Sequence, residues 1–141
     1  LSKKVSRKNL VKRLDNIFSQ YIRLRNANAQ GIAECYTCGK KDHWKKLQCG
    51  HFQSRKHYGT RFGTLDNDDK ITELNCQVQC VSCNVYKYGE QYKFGLRLDK
   101  DFGQGTAEDL HAKAIQITKY SNNDIQGLIT KYTALVKNKM K

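Results

Sequence analysis

Residues 47–57 read LQCGHFQSRKH and lie between two C-x-x-C pairs, Cys35/Cys38 in CYTC and Cys80/Cys83 in CVSC. Two residues between cysteines let both thiolates face one ion from a tight turn, and two such turns complete the tetrahedral set that zinc prefers. A Zn²⁺ ion on Cys35, Cys38, Cys80 and Cys83 would close the 41 residues between the pairs into a loop anchored at its base. Such a fully ligated zinc is a scaffold with no open position for chemistry, worth on the order of 10 kcal/mol of folding energy in small zinc modules. His51, inside that loop, is then a further metal ligand, a core residue, or a base that zinc holds in place. Disulfides are the competing use of six cysteines. The absence of an apolar secretory leader argues for a reducing compartment and free thiols instead. Cys49 and Cys76 fall in expected strands and read as small buried apolar groups.

The charge points to a partner. Twenty-six Lys and Arg face thirteen Asp and Glu, a net +13, and residues 1–60 carry fourteen basic against three acidic side chains. Such a field attracts polyanions, and nucleic acid, duplex DNA included, is the expected ligand. No apolar run reaches the roughly 18 residues needed to cross a bilayer, so no membrane partner is expected and the protein reads as cytoplasmic.

From Ser6 to Arg25, Leu10, Leu14, Ile17, Phe18, Tyr21 and Leu24 recur at helical spacing, with Lys8, Lys12 and Arg23 on the opposite side. This predicts one amphipathic helix with a basic back suited to phosphate contact. Residues 34–95 lack long periodicity and hold every cysteine, with short strands expected at 46–52 and 76–79, a short helix near Cys80, and a polar loop at 65–70. Beyond Gly103, Thr106 with Asp109 suggests a helix over 107–119 that faces Leu110, Ala114 and Ile117 inward. Ser121 with Asp124 suggests another, presenting Ile125, Leu128, Ile129, Tyr132, Leu135 and Val136. The expected fold is α+β in one domain, 1–141: a basic helix (1–30), a zinc-organised core (31–98) and a C-terminal helical pair (99–141). That pair is also where a possible homodimer would form.

The order His51, Asn75, Asn84 around two C-x-x-C pairs resembles an HNH, or ββα-metal, nuclease. The combination YIRLRNA, CYTCGK, GHFQSRKHYGTRF and QCVSCN is similar to the NinG/Rap family of phage recombination endonucleases. The resemblance implies a ββα-metal core and cleavage of branched intermediates such as Holliday junctions and D-loops by a phage-encoded enzyme in its host cell. Phosphodiester cleavage needs an activated water, and an imidazole with an ordinary pKa near 6.5 accepts its proton at neutral pH, which makes His51 the general base. By the resemblance Asn75 orients that base through the loop backbone, and Asn84 binds a catalytic Mg²⁺ or Mn²⁺ ion.

Many ββα-metal nucleases place an Asp ligand immediately before the histidine, where this chain has Gly50. Another group completes the site, with His57 and the acidic residues of 66–73 as candidates, or His51 itself binds metal, or catalysis is weak. Arg55 and Arg61 offer paired donors to phosphate, although Arg61 also has Asp66 and Asp68 as possible partners. Lys87 is placed to touch backbone phosphate. Tyr86, Tyr88, Tyr92 and Phe94 are read first as core packing and second as a stacking surface for exposed bases. The rival to the enzyme is a non-catalytic zinc-containing DNA- or RNA-binding protein that assists recombination.

Overall fold

The computed structural model describes residues 4–65 and 70–141. Helix α1 spans Arg7–Leu24, and the Ser6 hydroxyl caps it by accepting the Asn9 N–H at 3.2 Å. Its apolar stripe is continuous enough to be buried: Leu10, Leu14, Phe18, Leu24 and also Ile22 are at most 7% exposed. That face packs on the last helix, α5 (Asn122–Lys139), whose Ser121/Asp124 capping box forms as expected. Tyr132 of α5 meets Phe18 edge-on at 4.9 Å, and its hydroxyl lies 2.8 Å from Glu73 Oε1. The α5 stripe is therefore spent on α1, inside the chain.

Among the described residues the irregular middle of the sequence forms three two-stranded antiparallel sheets: β1 (Ile32–Glu34) with β2 (Lys41–His43), β3 (Gln48–His51) with β6 (Cys76–Gln79), and β4 (Thr64–Leu65) with β5 (Ile71–Thr72). Trp44–Lys46 form a 3₁₀ turn, so the expected strand at 46–52 starts only at Gln48, while the second strand falls where it was expected. In the β3–β6 pair His51 stands opposite Cys76, Gly50 opposite Gln77, Cys49 opposite Val78 and Gln48 opposite Gln79. Because side chains alternate along a strand, Cys49, His51, Cys76 and Val78 share one face, and Gln48, Gly50, Gln77 and Gln79 the other. Tyr58–Arg61 form a short helix, α2, and a single wide π-helical turn, Ser82–Tyr86, follows β6 where a short helix was expected. The acidic stretch Asp66, Asp68 and Asp69, named above as ligand or partner candidates and as part of a polar loop, lies outside the described residues.

The C-terminal pair of helices is corrected to three. Helix α3 (Gln91–Phe102) precedes α4 (Thr106–Ala114) and α5, and it crosses the expected boundary at 98/99. Its signal is masked by Gly95, a poor helix former. Glycine gives room there: a Cβ would sit 3.3 Å from the Phe52 ring, which would have to yield by a few tenths of an ångström. Helix α4 stops at Ala114 rather than 119, which leaves Ile117 91% exposed instead of buried. Its N-cap is Gly105, with φ at 96°, and not a Thr106/Asp109 box. No helix among the described residues is long and apolar enough to cross a membrane.

Candidate functional site

The four cysteines of the two C-x-x-C pairs converge. Their sulfurs all lie within 4.8 Å of one another, and Cys38 and Cys80 are 3.7 Å apart. Tetrahedral ligation with Zn–S near 2.3 Å requires a sulfur–sulfur spacing of about 3.8 Å. All six cysteines are free thiols, which sets the disulfide reading aside. The knuckle closes through Gly39, whose left-handed φ of 80° lets its N–H reach Cys35 O at 2.9 Å. Burial alone would push the Cys35 thiol up, but N–H groups of Cys80, Thr37 and Cys38 and the Thr37 hydroxyl bring it down to about 6. These four cysteines could hold a zinc ion. They tie the β1–β2 hairpin to the end of β6, as does the Tyr36 N–H donated to Val78 O at 2.8 Å.

A cleft of about 780 Å³ is lined by residues that include His51 and Asn84. The His51 Nε2 lies 3.2 Å from the carbonyl oxygen of Arg61. A carbonyl only accepts, so Nε2 carries the proton and Nδ1 keeps the lone pair. Burial lowers the His51 pKa to about 4, well under the ordinary value expected from sequence, and the Arg55 and Arg61 charges act in the same direction. The ring is thus neutral at pH 7.

Asn75 sits just before β6 and is 1% exposed. Its Oδ1 accepts the Gln53 N–H at 2.7 Å, and its Nδ2 donates to Gln53 O and Thr60 O, each at 3.1 Å. The Asn75 carbonyl also accepts the Phe52 N–H at 2.8 Å. One buried carboxamide therefore fixes the backbone on both sides of the segment that presents Arg61 O to His51.

On the Gly50 face of the strand pair the donors are amides. Asn84 Nδ2 donates to Gln48 Oε1 at 2.7 Å, which leaves Asn84 Oδ1 as an oxygen donor on the cleft. The absent side chain at Gly50 has a steric cause: a Cβ there would stand 1.9 Å from Gln79 Oε1. Gln79 is fully buried, its Nε2 donates to Thr37 Oγ1 and Gly89 O, and its Oε1 has no hydrogen-bond partner among the described residues. Of the described residues lining the cleft, Asp15 is the carboxylate, and Arg61 holds both its oxygens, at 3.0 and 2.5 Å. The catalytic Mg²⁺ or Mn²⁺ ion expected from sequence thus meets, among the described cleft residues, the amide oxygen of Asn84 and a carboxylate already held by arginine.

The remaining candidates divide. Arg61 is committed to Asp15 and to Arg55 O, so its described partner is Asp15, a lone acid in a basic helix that sequence reasoning passed over. Arg55 lies on the cleft with its side chain 61% exposed. Arg23 packs 5.1 Å over the Trp44 ring and donates to Trp44 O, forming cleft wall as well as charge. Lys8, Lys12 and Lys87 are exposed, whereas His57 joins no three-ligand cluster among the described residues. Core packing fails for three of the four aromatics: Phe94 is buried, but Tyr86, Tyr88 and Tyr92 are 76%, 88% and 80% exposed. Tyr88 lines the cleft from a left-handed stretch with φ of 53° at Tyr88, 87° at Gly89 and 50° at Glu90. The strand register also gathers Cys49, His51 and Cys76, whose ligand atoms lie within 4.8 Å of one another.

A family model described as bacteriophage lambda NinG protein matches residues 2–141. No curated protein and no solved structure matches the chain.

Proposed function

The chain belongs to the family of the bacteriophage lambda NinG protein, and from that membership and the cleft we propose that it is a metal-dependent endonuclease with an HNH-like ββα core. Its substrates are branched recombination intermediates, Holliday junctions and D-loops. One observation carries the reading: His51 ends β3, Asn75 begins the return to β6, Asn84 lies on the turn after β6, and the first and last of these share one cleft.

His51 Nδ1 takes the proton of the attacking water, because Nε2 is engaged with Arg61 O. Asn75 keeps that carbonyl in place by clamping Gln53 and Thr60. Arg55 steadies the phosphate from the cleft edge. Asn84 Oδ1 would hold a divalent ion, which would supply positive charge to offset the negative charge developing in phosphodiester cleavage. The basic back of α1, with Lys8 and Lys12, and Lys87 beyond the turn extend the DNA contact along the backbone.

The test is a labelled four-way junction with Mg²⁺ or Mn²⁺, comparing wild type with His51→Ala. Cleavage by wild type alone supports the reading; binding by both without cleavage by either leaves the non-catalytic DNA- or RNA-binding zinc protein. That second reading is favoured by the lowered basicity of His51 and the missing carboxylate at Gly50.

A further inference from the structure

We propose that Cys49, His51 and Cys76 form a second metal site, for a soft ion of the Zn²⁺ class, whose occupation withdraws His51 from catalysis. The site lies on the face of the β3–β6 pair opposite Gly50, and the register builds it: His51 is paired with Cys76, and Cys49 is two residues before His51. Their ligand atoms all fall within 4.8 Å of one another, as do those of the four-cysteine cluster. Tetrahedral ligation sets spacings of about 3.5 to 3.8 Å.

The surroundings suit this chemistry. Cys76 is 0% exposed and Cys49 packs against the α1–α5 core, so the site is dry on one side, while Cys49 and His51 open on the cleft and give an ion its entry. Two thiols each release a proton on binding, so the ion's two positive charges meet two thiolates and one neutral imidazole. The assembly carries no net charge, which lets it be buried without an unpaired ion. Thiolate and imidazole donors select Zn²⁺ over Mg²⁺, so the site does not compete with Asn84 for the hard ion. Three protein ligands leave a fourth position for solvent. The four-cysteine cluster does not share these ligands.

The regulatory consequence rests on the proposed role of His51 as base, but the site itself does not. The first readout is therefore metal content, followed by Co²⁺ added to the zinc-saturated protein after exchange of its weaker ion. Wild type should hold two zinc ions per chain at saturation and show new thiolate-to-Co²⁺ absorption on exchange, whereas Cys49→Ser and His51→Gln should each hold one and show none. The half-buried Cys49 tolerates the near-isosteric Ser, and a melting curve checks the fold. One zinc at saturation in wild type, two in Cys49→Ser, or a thiol count showing Cys49 joined to Cys76 as a disulfide each overturns the site. The second readout is Mg²⁺-dependent junction cleavage. Zinc beyond the first equivalent should slow wild type about 100-fold, the worth of a lost base, and spare Cys49→Ser. Equal inhibition of both overturns the regulatory part. Two bound zinc ions in a protein that cuts under no condition would uphold the site and sink the nuclease reading alone.

Discussion

The imidazole of His51 is tied to the carbonyl of Arg61, ten residues further along the chain, at 3.2 Å. That bond fixes the tautomer, and Asn75 holds the segment that makes it, so imidazole and loop form one unit. The same burial that fixes the ring lowers its basicity. A base with a depressed pKa is always in its working form at neutral pH, at the cost of a weaker pull on the water proton.

The pH dependence should follow from this. The acid limb of kcat/KM, which reports the free enzyme, should fall near pH 4 rather than near 6.5. Stability carries the same signature. In the unfolded chain the histidine binds a proton once pH falls below about 6.5, while the folded protein resists it until about 4. Stability held above pH 6.5 is therefore lost as pH drops toward 4, with a slope approaching 1.4 kcal/mol per unit at about pH 5. Urea melts of His51→Gln at pH 7 and pH 5 should lack this part of the loss.

The Asn75 clamp predicts a contrast between two substitutions. Asn75→Ala leaves the Gln53 N–H, Gln53 O and Thr60 O without their partner and should cost about 2 to 3 kcal/mol. Asn75→Asp keeps the shape but replaces two donated bonds with a carboxylate facing two carbonyl oxygens. Denaturation at pH 7 should show it at least as damaging as Ala, and the folded fraction of either should cut junctions more slowly than wild type.

Much of this was legible in the sequence, and the misses have physical causes. The cysteine pairs declare a shared ion because their spacing is a local geometric requirement, and the α1 and α5 stripes declare themselves by period. Helix α3 stayed hidden because its glycine answers to Phe52, more than forty residues earlier, rather than to local propensity. The three tyrosines read as core because aromatic clusters usually are; what keeps them outside is the left-handed stretch at 88–90, which the sequence signals only through Gly89. Gly50 reads as a lost ligand until Gln79, on the paired strand, is seen to fill the space.

Gly50 and Gln79 should behave as a coupled pair. With a Cβ only 1.9 Å from Gln79 Oε1, Gly50→Ala must push the carboxamide off Thr37 and Gly89 or part the strands, at about 1 to 3 kcal/mol. Gln79→Ala removes the obstacle, so the double variant should lose clearly less than the sum of the singles. A double-mutant cycle by urea denaturation measures the coupling, and strict additivity would show that the two side chains do not compete for one space.

The exposed tyrosines separate binding from folding. Tyr86, Tyr88 and Tyr92 give up almost no burial on truncation, so Tyr88→Ala and Tyr92→Ala should change stability by no more than about 0.5 kcal/mol. Tyr88 lies on the cleft that holds His51, and an exposed aromatic ring can stack on bases that have left the helix. Stacking is worth roughly 1 to 3 kcal/mol per base, so Tyr88→Ala should weaken binding about tenfold or more to a junction with unpaired bases at its crossover. A fully paired duplex offers no free base face at that position, and affinity for it should hardly change. Both affinities must be measured at one salt concentration, since the phosphate contacts proposed for Arg55, Lys8 and Lys12 would weaken together as salt rises. Equal losses on the two DNAs would assign Tyr88 to the backbone or to the fold, and the proposed preference for branched DNA would then have to arise elsewhere on the surface.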